Sequence, residues 1–263
     1  MPKSAPAEVQ SPLGISGVLE LGFLAPLAHT IELSKSGTEL DYVRDGGQDN
    51  LFFVARLSGE LALFESHRII FLYQPLNLET SVLLEKDLVV DDERFVAGTA
   101  LDLRYGFDFY RLSYLYDFWG DDPRQELSIG GSLQLRNATI NFTSGDGTQR
   151  RTARDIGPVP ALKVRGQWSL TERVWLGLEA DGMYAPIKYL NGGASDVVGA
   201  ILDASVRAGI QVAPGIDAFL NVRYLGGGAS GTSKKKSGPG DGYTDNWLNF
   251  LFITLGVRAG PFG

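Results

Sequence analysis

The feature that most constrains this chain is a two-residue alternation in which one face of almost every apolar segment carries charge. Side chains of a β-strand point alternately to opposite faces, so residues two apart share a surface. In the first segment Leu19, Leu21, Phe23 and Ala25 oppose Val18, Glu20, Gly22 and Leu24. In the second, Phe53, Ala55, Leu57, Gly59, Leu61 and Leu63 oppose Arg56, Ser58 and Glu60. The pattern returns at 127–136, 162–168, 174–181 and 218–224, and at 198–212 the even positions are apolar while Asp203, Ser205, Arg207 and Gln211 take odd ones. A soluble β-sandwich or lipocalin-like barrel, the alternative fold, would have to bury an arginine or a glutamate from nearly every strand. A barrel with an apolar exterior and a wet lumen has no such difficulty.

The connections point the same way. Short polar turns at 65–68, 120–125, 169–172 and 214–217 alternate with longer polar loops at 41–50, 85–94, 143–157, 188–196 and 226–245. The alternation requires 95–119 to be one strand, with Tyr110, Leu112, Tyr114, Tyr116 and Phe118 outward. A turn at Gly106-Phe107-Asp108 would give an odd strand count and put long loops on both sides. Short turns on one side and long loops on the other are the layout of outer-membrane barrels. The expected fold is therefore all-β, a transmembrane antiparallel up-and-down β-barrel of about ten strands, spanning 14–263 after a disordered N-terminal segment at 1–13. Closure follows from the solvent: in lipid every backbone N–H and C=O must be paired within the protein. In the strand at 69–84 alternation does not resolve inside from outside. Trp119, Trp168, Trp175 and Trp247 fall near strand ends, where indoles favour the membrane interface.

Composition excludes several classes. With no cysteine there is neither a disulfide nor a thiolate metal site, and a net charge of −7 argues against a nucleic-acid surface. No apolar run is long enough for a membrane helix. The first twelve residues lack an apolar h-region and so are not an intact signal peptide. A barrel implies that an export signal was removed and that Met1 was added to the mature chain.

The segments LRYGFDFYRLSYLYDFW (101–119) and HRIIFLYQPL (67–76), and more loosely WLNFLF (247–252), resemble a group of uncharacterised outer-membrane barrel proteins of Gram-negative bacteria. The resemblance covers most of the barrel and implies the bacterial outer membrane as the location. Its motifs are structural, and it carries over no catalytic or ligand-binding residue. Many such barrels end on an aromatic residue, whereas this chain ends Pro261-Phe262-Gly263, with Phe262 as the nearest substitute.

The richest constellation is the predicted lumen. Its cations are Arg56, Arg111, Arg136, Lys163, Arg165, Arg207, Arg223 and Arg258, and its carboxylates Glu20, Glu60, Asp117, Glu179, Asp181 and Asp203. Both signs are well represented, as expected of an ion-pair network that largely fills a narrow lumen; a selective pore more often shows one sign. Arg165–Glu179 is an expected cross-strand pair. Enzymes on small barrels use histidine with carboxylates or serine, which directs attention to the only two histidines. His67 reads as a solvated turn residue and His29 as a rim residue with no identifiable partner. The acidic loop with Asp87, Asp91, Asp92 and Glu93 lacks a calcium-loop spacing and reads as solvated. Asp146-Gly147 and Asp241-Gly242 are turn signals, and Gly226-Gly227-Gly228 precedes a loop, not a helix. Lys234-Lys235-Lys236 reads as a charged loop tip with lipopolysaccharide phosphate as the alternative.

These readings favour a non-enzymatic outer-membrane protein with a largely closed, charge-paired lumen and a structural or surface-contact role. A narrow channel for small solutes or ions is the alternative, and a lipid-modifying or proteolytic barrel enzyme with His29 at its rim the second alternative. The expected partners are outer-membrane lipid, lipopolysaccharide and, during insertion, the barrel-assembly machinery. Neither a cofactor nor a metal is expected, and the sequence does not give the oligomeric state.

Overall fold

The computed structural model describes residues 13–122, 124–186, 196–233 and 240–260. Ten strands form its wall: β1 (Leu13–Leu33), β3 (Phe52–Leu63), β4 (His67–Leu83), β7 (Ala100–Asp117), β8 (Gln125–Ser144), β9 (Arg150–Ser169), β10 (Val174–Pro186), β11 (Val198–Ala213), β12 (Ile216–Thr232) and β13 (Tyr243–Ala259). Each pairs antiparallel with the next, and β13 returns to β1 over the register Gly17↔Ala259 to Leu33↔Thr244. The sheet therefore closes and leaves no open edge in the wall. Three short strands belong to loops. β2 (Leu40–Asp41) adds to β1 above the end of β3, and β5 (Leu88–Val90) pairs with β6 (Glu93–Phe95).

The wall has two zones with opposite polarity. Nearer the short turns the outward side chains are apolar and exposed, among them Leu19, Leu21, Leu57, Phe71, Leu112, Leu133, Leu162, Leu178, Val206 and Leu255. On β7 this band runs from Tyr110 to just past the strand end at Phe118. Roughly nine residues rising about 3.3 Å each at a tilt of about 40° cover about 23 Å, close to the apolar belt of outer-membrane barrels. Aromatic rings edge the band. On one margin Phe23 meets Phe53 edge-on at 6.2 Å and Tyr73 stacks on Tyr110 at 5.0 Å. On the other stand Tyr114, Tyr116, Phe118 and Trp119.

Beyond Tyr73 and Tyr110 the polarity inverts. Asn77, Glu79 and Ser81 on β4, Asp102 and Arg104 on β7, Asn137 on β8 and Arg154 on β9 face outward into solvent. Leu76, Leu78, Leu101, Leu103, Tyr105, Phe107, Ile140 and Phe142 are buried inside. Along β4, β7, β8 and β9 the register runs without a shift; only the chemistry of the two faces exchanges. This explains why alternation could not resolve the strand at 69–84. Within the band β4 is apolar on both faces, with Ile70 and Leu72 inward and Phe71 outward, and past Pro75 its outward face turns polar.

Several expectations are corrected. Strand β7 is single but begins at Ala100, and Phe95 belongs to the β5–β6 hairpin. The turn before β4 is tighter than 65–68: Phe64 and Glu65 take positive φ, and His67 and Arg68 already lie in β4. The polar loop expected at 143–157 is mostly strand, because β8 and β9 continue to Ser144 and from Arg150. Such polar outward residues are what a wall outside the membrane carries. Gly226-Gly227-Gly228 lies within β12, where Cβ atoms at Gly227 and Gly228 would fall 2.4 Å from Ala200 O and 1.9 Å from Asn246 O. Trp175 is not at an interface: it points into the lumen and lies flat over Gly209, whose Cβ would sit 2.3 Å from the indole. Leu13, assigned to the leading segment, opens β1. The loop at 188–196 and the segments 234–239 and 261–263 fall wholly or largely outside the described residues, so Lys234–Lys236, Phe262 and Gly263 are not placed.

Candidate functional site in the barrel lumen

The band zone of the lumen holds a continuous ionic network. Arg111 donates from Nη1 to Asp181 at 2.7 Å and from Nη2 to Gln134 at 2.9 Å, and Nη2 also lies 2.9 Å from Asp203. Arg223 grips Asp203 through Nε and Nη2 at 2.5 and 2.9 Å and donates to Gln74 from Nη1. Lys163 bridges Glu179 and Asp181 at 2.7 and 2.8 Å. Arg56 and Arg207 both reach Glu20 and Glu179, and Glu20 also accepts from Asn221 and Thr254.

Nearer the short turns, Arg165 bridges Glu60 and Glu126, Arg68 pairs with Asp117 and Glu60, and Arg258 pairs with Asp217. The described network thus sets Arg56, Arg68, Arg111, Lys163, Arg165, Arg207, Arg223 and Arg258 against Glu20, Glu60, Asp117, Glu126, Glu179, Asp181, Asp203 and Asp217, eight charges on each side.

Sequence reasoning placed thirteen of these sixteen residues on the inward face; the side chain of Arg136, the fourteenth expected there, lies outside the described residues. It missed Arg68, Glu126 and Asp217, which it had assigned to turns or passed over, although their parity is inward. The expected Arg165–Glu179 pair is in register, Glu179↔Arg165, yet their side chains part. Arg165 leans to Glu60 and Glu126, and Glu179 takes Lys163, Arg56 and Arg207. Glu126, Lys163 and Arg207 are diagonal neighbours on adjacent strands, which long side chains reach as readily as direct ones, whereas Glu60 and Arg56 stand on β3 and meet Arg165 and Glu179 across the lumen.

Above the ionic layer lies the apolar one. Its floor is joined to the charges through rings: the Arg111 guanidinium sits 4.7 Å from the Phe109 centroid and that of Arg223 4.7 Å from Phe252. Its roof comes from loops. β2 and its flank insert Leu40 and Tyr42, and the β5–β6 hairpin inserts Leu88, Val90 and Phe95 into the same core. Buried Asp91 ties the hairpin to Arg151 of β9 at 2.7 Å from Nε, and Asp92 accepts from the Gly240 amide at 2.9 Å. The acidic loop is therefore a packed lid, not a solvated strand of chain. Donors from Arg94 and the Ala97 amide hold the Asp87 carboxyl below its ordinary range. At the β8–β9 turn, Ser144 and Thr148 donors hold Asp146 down to about 2.

Both histidines are corrected. His29 is fully buried, with Nδ1 2.7 Å from Gln48 Oε1 and its ring stacked on Tyr42 at 4.4 Å and edge-on to Tyr105 at 4.2 Å. The cause is a bulge in β1: the register shifts between Pro26 and Ala28, which turns His29 and Ile31 inward where simple alternation points them out. His67 is on β4, with Nδ1 2.7 Å from the Tyr114 hydroxyl on the outer face.

A closed antiparallel barrel with an apolar belt, aromatic margins and a charged lumen defines the outer-membrane β-barrel class of fold. Among solved structures the chain is similar to the outer membrane protease OmpT of Escherichia coli, at 14% identity and a TM-score of 0.52 over 95% of this chain and 98% of that one. Lesser likenesses are to a Pseudomonas aeruginosa FadL homologue (8% identity, TM-score 0.38, 95% and 90% covered) and to the attachment invasion locus protein Ail of Yersinia pestis (10%, 0.36, 93% and 98%). No protein-family model and no curated protein matches the sequence.

Proposed function

We propose that the protein resides in the bacterial outer membrane as a barrel sealed along its axis by its own side chains, with a structural or surface-contact role and no catalysis. The observation that carries this reading is the stacking of two unlike seals in one lumen. An ion would first have to part buried pairs, and removing one partner of such a pair costs roughly 3–5 kcal/mol. It would then meet an apolar layer that offers no replacement for its hydration shell.

The apolar band suits outer-membrane lipid. The polar wall above it, with Arg104 and Arg154 set among Asn137, Thr139 and Asn141, suits the sugars and phosphates of lipopolysaccharide. OmpT is a protease, but the histidine that a rim enzyme would use here is caged by three aromatic rings, which supports a non-catalytic reading.

The test is single-channel recording of refolded protein in planar bilayers. Silence is expected. Long, stable openings of the parent protein would replace this reading with a channel whose selectivity lining is the same set of charges.

A further inference from the structure

We infer that the lumen carries a binding site for a small oxyanion (sulfate, phosphate or carboxylate) at its short-turn end. The site is a cavity of about 60 Å³ beneath the ionic network. A space of about 10–15 Å³ by this measure holds one water, so the cavity has room for several waters or one compact oxyanion.

Its lining is lopsided although the network as a whole is balanced. The cavity is bordered by Arg56, Arg111, Lys163, Arg165, Arg207 and Arg258 but by only three carboxylates, Glu60, Glu126 and Glu179. The missing acids lie elsewhere: Glu20, Asp181 and Asp203 engage the same cations without lining the cavity. Arg165 is paired within the lining, but Arg56, Arg111, Lys163 and Arg207 place part of their pairing outside it, so the lining keeps an excess of positive charge.

The leftover hydrogen-bonding groups agree in sign. Four lining residues keep a buried polar atom without a partner: Nε of Arg56, Arg111 and Arg207, and Nε1 of Trp175. All four are donors, and an anion offers only acceptors. Entry is open as well, since Arg207 and Arg258 keep 18% and 22% of their side-chain surface in solvent. Trp175 supplies a reporter, because the Arg258 guanidinium lies 4.7 Å from its ring centroid. The inference rests on the fold alone and not on which side of a membrane the short turns face.

The experiment titrates the refolded protein in detergent with sodium sulfate, phosphate or acetate, against sodium chloride at matched ionic strength, by calorimetry and tryptophan fluorescence. A saturable response to at least one oxyanion and none to chloride is expected. The fluorescence response should vanish in Trp175→Phe, and the heat should report weaker binding, because one of the four donors is gone. Ser58→Asp places a competing carboxylate in the cavity without removing any ion pair, and should weaken binding at least tenfold. Arg207→Gln should weaken it too, with gel mobility of unboiled samples confirming that both variants fold. The site is overturned if no oxyanion gives a saturable response beyond chloride, or if folded Ser58→Asp binds as tightly as the parent.

Discussion

Single residues in this barrel are held by what surrounds them more than by what they are. Arg111 is almost wholly buried and serves Asp181, Asp203 and Gln134 at once. Its replacement by alanine leaves Asp181 to Lys163 alone and Asp203 to Arg223 alone and should lower stability by roughly 3–5 kcal/mol, whereas Arg111→Met together with Asp181→Asn, which leaves Lys163 its Glu179 partner, should cost less than the single change. Urea unfolding in detergent micelles, followed by fluorescence, measures both; equal losses would refute the network. His29 makes the opposite lesson. Its chemistry invited a rim enzyme, and a one-residue bulge that no alternation rule anticipates put it in an aromatic cage instead.

At the scale of the strand, the band and the wall above it can be told apart by one substitution repeated at two heights. Leu133 and Thr139 both face outward on β8, Leu133 within the apolar band and Thr139 beyond it. Leu133→Arg should cost roughly 2–4 kcal/mol and Thr139→Arg close to nothing. Similar costs at the two sites would displace the band.

The β5–β6 hairpin gives a second prediction. Phe95 is fully buried in the upper core, so Phe95→Ala should destabilise by roughly 3–5 kcal/mol and expose 84–99 to added protease on folded protein. Unchanged protection would mean that the hairpin is held by its ion pairs and not by its ring.

Strand existence, strand count and inward parity were legible because period two is a local signal and turn chemistry marks its ends. The lid and the extended β8–β9 wall were not. Their polar and charged residues, such as Asp91, Asp92 and Arg154, look like ordinary loop composition, and only long-range partners such as Arg151 and Gly240 show that they belong to a packed structure.

For the whole molecule, closure predicts behaviour that no single element shows. Unboiled and boiled samples should migrate differently on a denaturing gel, because a sheet without edges has no place from which to unzip. Identical migration, with solubility in the absence of detergent, would remove the membrane reading. Glu179→Ala takes away the acceptor shared by Lys163, Arg56 and Arg207, and is the variant in which leak current should first appear against a silent parent.

The inversion of polarity along the strands also sets how far the protein projects. From Tyr110 to the top of β7 roughly ten more residues climb about 25 Å at the same tilt, on a wall whose apolar interior keeps it stiff without lipid around it. In the proposed outer-membrane setting this holds the β8–β9 turn at Gly145–Gly147 aloft like a mast-head, above the headgroups and level with lipopolysaccharide sugars. A short epitope inserted between Asp146 and Gly147 should be reached by antibody on intact cells, while the same epitope at Phe64–Ser66 should be hidden until the envelope is opened.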